Sequence, residues 1–139
     1  MLVVKKFGGS SVADRERIFN VARRCIEDYN KGNDVVVVLS AMGKTTDGLI
    51  AKAHEITESP SRRELDMLLA TGEQVSVALM AMAIQSLGVQ AISLNAAHGP
   101  YENDLRLRQA KLKRIDTERI QNELDARKIV IITGFQGGQ

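Results

Sequence analysis

The sequence predicts an α/β fold, a mostly parallel sheet flanked by helices, on three observations. Short β-branched runs alternate with helical patterns along the whole chain. Asp34 to Ser40 holds four consecutive valines and a leucine, the unbroken apolar run of a parallel strand covered on both faces. No internal repeat or low-complexity tract interrupts the alternation.

Leu2 to Phe7 reads as the first strand, closed by Gly8 and Gly9, and Ser11 with Asp14 three residues later reads as a helix-start box. The helix that follows carries Ile18, Val21, Ala22, Cys25, Ile26 and Tyr29 on one face, and Gly32 supplies a left-handed stop. After the central strand and a polar loop, Asp47 is placed to cap a helix bearing Leu49, Ile50, Ala53 and Ile56, ended by Pro60. Ser61 with Glu64 boxes a further helix. Gly72 interrupts the helical pattern from Arg62 to Leu87, and Thr71 with Gln74 offers a fresh cap, so two helices with a break at Thr71 to Glu73 are expected. Gly88 closes the second. Val89 to Leu94 is then a strand, Lys111 to Ile115 a weaker one, Thr117 to Arg127 a helix, and Ile129 to Thr133 the last strand.

At 139 residues and 44% hydrophobic, the chain supports one domain with one core. Its formal charge of +2 is no electrostatic footprint for nucleic acid or an anionic membrane. The single cysteine, Cys25, excludes an intrachain disulfide, no signal-type apolar segment opens the chain, and a cytoplasmic location is expected. The longest apolar run, Val75 to Ile84, falls well short of the roughly 20 residues that span a bilayer. The chain ends in the loop Gly134-Phe135-Gln136-Gly137-Gly138, which leads into no further element, so a cut within a larger domain is expected. Apolar surface and strand edges bared by such a cut favour self-association, and the expected state is a homo-oligomer.

Three constellations carry possible chemistry. Lys6-Phe7-Gly8-Gly9-Ser10-Ser11 sets a lysine at a strand end and a Gly-Gly turn before a helix, an arrangement that brings backbone N–H groups and a positive charge to a phosphate; a plain tight turn with a solvated lysine is the alternative. Ser40-Ala41-Met42-Gly43-Lys44-Thr45-Thr46-Asp47 is a second strand end with small hydroxyl residues, able to hold the charged groups of a small substrate or simply to form a capped loop. It imitates half of a P-loop, but Val38 stands in mid-strand where that motif needs a glycine. Glu73 is an acid amid apolar sequence, and must be paired, capping or ligand-binding, because burying it alone is too costly. The basic stretch Arg106, Arg108, Lys111, Lys113 and Arg114 reads as one solvated face of a strand. His54, His98 and Cys25 have no partners at metal-ligand spacing, so no metal site is expected.

Taken in order, Lys6 to Asp14, Val36 to Asp47, Met67 to Glu73 and Gly134 to Gly137 closely resemble the aspartate kinase branch of the amino-acid kinase family. The resemblance implies that residues 1–139 are the N-terminal, amino-acid-binding portion of a kinase domain, with the nucleotide-binding half and the regulatory domains absent. It implies phosphoryl transfer from ATP, bound with Mg²⁺, to the side-chain carboxylate of L-aspartate. By that similarity Lys6 stabilises the transferring group, and Gly8, Gly9, Ser10 and Ser40 contact the phosphates or reaction site. Thr46 and Asp47 belong to the aspartate pocket, and Glu73 holds the substrate ammonium. Partners are L-aspartate and ATP, with no nucleic acid and no membrane. Two other readings stay open: a relative acting on glutamate or N-acetylglutamate, and a non-catalytic amino-acid-binding module.

Overall fold

The computed structural model describes residues 1–94 and 117–134. Four strands, β1 (Leu2–Phe7), β2 (Asp34–Leu39), β3 (Ala91–Leu94) and β4 (Ile129–Thr133), form one sheet in the order β1-β2-β4-β3, with every pairing parallel. Around it stand α1 (Arg15–Asn30), α2 (Gly43–Ile56), α3 (Arg62–Ser86) and a short helix α4 over residues 117–125. The weak strand expected at Lys111 to Ile115, the basic stretch, His98 and the turn from Phe135 onward lie outside the described residues.

Alternation along the strands divides the core in two. Val35, Val37 and Leu39 of β2 and Ile129 and Ile131 of β4 face α1 and α3, meeting Val21, Ala22, Cys25, Met80 and Ile84. Val36 and Val130 point the other way, onto Leu124 and Ile120 of α4. Both faces of β2 and β4 are thus covered, which is why these strands read as unbroken apolar runs. On β1 only Val3, Lys5 and Phe7 face the α1 side; Leu2 and Val4 point outward and are 56% and 60% exposed.

Several local expectations hold and three are corrected. Gly32 (φ +93°) and Gly88 (φ +91°) close α1 and α3 in the left-handed region, and Ser61 Oγ accepts from the N–H of Glu64 at 3.4 Å. The start of α1 lies later than the Ser11 box implies. Residues Gly9–Val12 instead make a 3₁₀ turn that drives Val12 fully into the core, and Asp14 itself caps α1, accepting from the N–H of Arg17 at 2.8 Å. Asp47 does not cap α2. That helix begins four residues earlier, at Gly43, behind Met42, which offers no side-chain cap.

The third correction is that α3 runs unbroken for 25 residues through Thr71 to Glu73. Thr71 Oγ1 donates back to the carbonyl of Leu68 at 2.6 Å, the bond of a mid-helix threonine rather than of a cap. Gly72 is tolerated in mid-helix, at about 1 kcal/mol of propensity, because it is buried against its neighbours. By length and composition alone α3 is apolar enough to cross a bilayer. Its buried residues, Ser76, Val77, Met80, Ala81, Ala83 and Ile84, lie instead in contact with α1 and the sheet, as in the core helix of a folded domain.

The amino ends of the strands are fastened by one side chain. Arg127, itself at φ +60°, stacks on the Tyr29 ring at 4.2 Å and donates to Asp34 Oδ1 at 3.2 Å and to the carbonyls of Asn33 and Tyr29. Tyr29 returns a bond from its hydroxyl to the carbonyl of Arg127 at 2.8 Å. This clamp ties the end of α1, the start of β2 and the turn before β4 together.

Candidate active site

The register places Phe7, Leu39 and Thr133 in one row, so the residues that follow, Gly8, Ser40 and Gly134, form the carboxyl rim of three adjacent strands. The N–H of Gly134 donates to the carbonyl of Leu39 at 2.7 Å, and the N–H of Ser40 to that of Phe7 at 3.4 Å. Ligands of open parallel sheets sit at this end. The loop after β2 is the centre of the rim. A β-carbon on Gly9 would stand 2.6 Å from the Ala41 carbonyl oxygen and 3.0 Å from the Gly43 nitrogen; one on Gly72 would stand 3.1 Å from Ala41 Cβ and 3.2 Å from Thr45 Cγ2. The turn after β1 and the middle of α3 therefore press on Ala41 from two sides, and only glycine permits either approach.

The sequence reading singles out Lys6 and leaves Lys5 without a role. In the structure Lys5 lies on the α1 face and its Nζ sits 2.6 Å from Asp28 Oδ2, a half-buried pair that pins β1 to α1. Lys6 leaves the strand on the opposite face, is exposed, and forms no ion pair with another described residue.

Glu73 stands on α3 next to the Gly72 contact, half-buried. Its Oε2 is shut off from solvent and has no hydrogen-bond partner. Loss of water around the carboxyl pushes its pKa up to about 7. By contrast, burial pushes the Cys25 thiol up to about 11, which makes it an inert core group.

The remaining expected residues divide. Ser10 lies exposed in the 3₁₀ turn, its carbonyl accepting from Arg17 Nη1 at 3.0 Å, beside exposed Gly8. Ser40 is half-buried, with its Oγ 3.6 Å from where a β-carbon on Gly134 would lie. Thr46 is half-buried in the first turn of α2, where its N–H makes the opening helical bond to Met42 at 3.1 Å. Asp47 is not brought into this group. Thr45 and Leu49 of α2 lie against Gly72 of α3, and Asp47 is turned about 200° round the helix from Thr45 and is exposed.

One feature escapes the sequence reading. The helix α2 opens at Gly43, just after β2, without a side-chain cap and with no acid in its first turn, which leaves its first N–H groups uncapped beside exposed Lys44. A helix start of this kind suits a carboxylate or a phosphate. The signal lay in Gly43-Lys44-Thr45, small and basic with no acid until Asp47. Among the described residues no three His, Cys, Asp or Glu side chains group as metal ligands.

Comparison with known proteins agrees with this architecture. The chain is 52% identical over 136 residues to the aspartokinase of Geobacillus stearothermophilus and 47% identical to aspartokinase 2 of Bacillus subtilis, matching 98% of itself and 33% of each. It thus spans about a third of the length of these relatives. The crystal structure of aspartate kinase from Synechocystis superposes with a TM-score of 0.74 at 42% identity, over 99% of this chain and 22% of that one. E. coli aspartokinase III, solved with aspartate and ADP, shares the fold at a TM-score of 0.70 and 23% identity, over 97% and 41% of the two chains. A sequence model described as the amino acid kinase family matches residues 1–139, the whole chain. The chain belongs to the amino acid kinase family.

Proposed function

We propose that these residues form the amino-acid-binding part of a cytoplasmic kinase that transfers a phosphoryl group from ATP to the side-chain carboxylate of L-aspartate, giving 4-phospho-L-aspartate. The observation that carries the reading is the uncapped start of α2, which packs through Thr45 against Gly72 and so lies beside the half-buried Glu73, with exposed Lys6 at the end of neighbouring β1. The names of relatives sharing about half its residues support the choice of aspartate.

In this reading Glu73 holds the ammonium of aspartate, and Thr46 with the open N–H groups of α2 receives a carboxylate. Ser40 lies at the reacting end. Lys6 faces the charge that spreads over the phosphoryl oxygens, and Gly8, Gly9 and Ser10 bring backbone N–H and hydroxyl donors to the phosphates. ATP, with its Mg²⁺, supplies the phosphoryl group when bound. Positioning and charge stabilisation suffice for such transfer, and no covalent residue is required.

The test is a hybrid in which this chain replaces the matching third of the Geobacillus aspartokinase. The hybrid is expected to phosphorylate L-aspartate in a coupled assay. Lys6→Ala in it should lower kcat on the order of 10² to 10³-fold, about 3 to 4 kcal/mol, with little change in KM for aspartate. Glu73→Ala should chiefly raise that KM. A folded hybrid that ignores aspartate, or a Lys6→Ala hybrid with near-normal kcat, would overturn the reading.

A further inference from the structure

The carboxyl of Glu73 raises a question that the functional reading leaves open, namely how a half-buried acid with an orphaned oxygen survives in an empty site. Every other carboxylate on the neighbouring elements has an outlet. Asp14 caps α1, Asp28 meets Lys5, and Asp47 and Asp66 lie in solvent. Glu73 Oε2 is shut off from solvent and has no donor among the described residues. A carboxylate with one oxygen cut off from solvent and from any described donor is disfavoured in its ionised form.

Among the described residues no cation pairs with it. Charged groups on the helices packed against α3 include Lys44, Asp47, Lys52 and Glu55 of α2 and Arg15, Glu16 and Arg17 of α1, with Arg62, Arg63, Glu64 and Asp66 on α3 itself. None of these contributes to the raised pKa of Glu73, whose single cause is desolvation. Below neutrality the favoured state of the ligand-free site is the neutral acid.

We propose that Glu73 acts as a proton-exchanging receptor: it carries a proton while the site is empty and gives that proton up to solvent when an ammonium group docks. In the exchange the carboxyl O–H bond breaks, the proton leaves to water or buffer, and an N–H of the ligand forms a charge-assisted hydrogen bond to the freed oxygen. Atoms and charge balance, since one cation enters and one proton departs. The inference rests on the reading of Glu73 as the ammonium site. It adds that affinity is set by pH: below neutrality each unit of acidity weakens ammonium binding by up to about tenfold, and above it the dependence levels off. It adds selectivity too, because a ligand lacking the ammonium has nothing with which to displace the proton.

The experiment is a carbon-detected NMR titration of the Glu73 carboxyl in the 139-residue chain, with L-aspartate and, separately, with succinate, which keeps both carboxylates but has no amine. The empty chain should show a midpoint near neutrality. Saturating L-aspartate should lower it by a unit or more, and succinate should leave it in place. Affinity for L-aspartate should rise at least fivefold between pH 5.5 and 7.5 in the native chain, and that rise should vanish in Glu73→Gln. A midpoint near 4.5 in the empty chain overturns the proposal. So does an unmoved midpoint while the amide signals of Ser40 and Thr46 respond to L-aspartate, and in that case the substrate reading stands. If those amides respond to L-aspartate at no pH, the substrate reading fails, and the proposal with it.

Discussion

Adjacent lysines at the end of β1 have unlike roles because a strand turns successive side chains to opposite faces. Lys5 belongs to the fold and Lys6 to the rim. Lys5→Ala strands a shielded Asp28 oxygen and should cost about 1 to 3 kcal/mol in denaturant unfolding, while Lys6→Ala should leave the unfolding midpoint within error. Glu73 carries a signature in stability as well. Its pKa in the folded chain is about 7 against 4.5 for an ordinary glutamate, so the folded state binds more protons between those values. The stability contributed is therefore full below about 4.5 and is lost as pH rises through 7. Glu73→Gln, which cannot ionise, should raise the melting temperature at pH 8 relative to the native chain and narrow or lose that advantage at pH 5. An equal gain at both values would show that Glu73 is not ionising on this range.

Glycines give the same lesson at the level of the element. Gly8 and Gly9 are indistinguishable in sequence, yet a β-carbon on Gly8 meets nothing within 4 Å, whereas one on Gly9 runs into the backbone of the loop after β2. Gly8→Ala should fold as the native chain does. Gly9→Ala must push two loops apart, and a loss of about 1 to 3 kcal/mol is expected from such overpacking, read by thermal melting of the two variants side by side. Most elements were legible beforehand for simple reasons: the valine run of β2 and the stripe on α1 are strong periodic signals, and Gly32, Gly88 and Ser61 sit where caps are chemically required. Reading Gly72 as a break failed because propensity was weighed without the neighbour that rewards the missing side chain. The start of α2 was misplaced by the same habit, since Asp47 looked like a cap while the real start at Gly43 uses none. Of the site, the residue types were legible; their facing, which parts Lys5 from Lys6 and turns Asp47 away, depends on register and helix phase that only the assembled sheet supplies.

For the whole molecule, the sheet is unevenly dressed. β2 and β4 are sealed on both sides, but Leu2 and Val4 lie bare on the outer strand, and Met67, Val75, Leu79 and Met82 stay exposed along α3. Bare apolar strand surface at a sheet edge invites pairing with another chain. A polypeptide of these 139 residues should sediment as dimers or larger species at high concentration, and Leu2→Lys with Val4→Lys should shift it toward monomer; a native chain that stays monomeric throughout would contradict this. The clamp of Arg127 on Tyr29 bears on a different matter. It closes the amino pole of the strands, and strands of this length put it roughly 17 Å from the carboxyl rim, about twice the screening distance of physiological salt. Durability and chemistry are therefore lodged at two poles that scarcely sense each other's charges. A lineage carrying this fold is free to lengthen its thermal lifetime at one pole while revising substrate choice at the other, with neither change holding the other hostage.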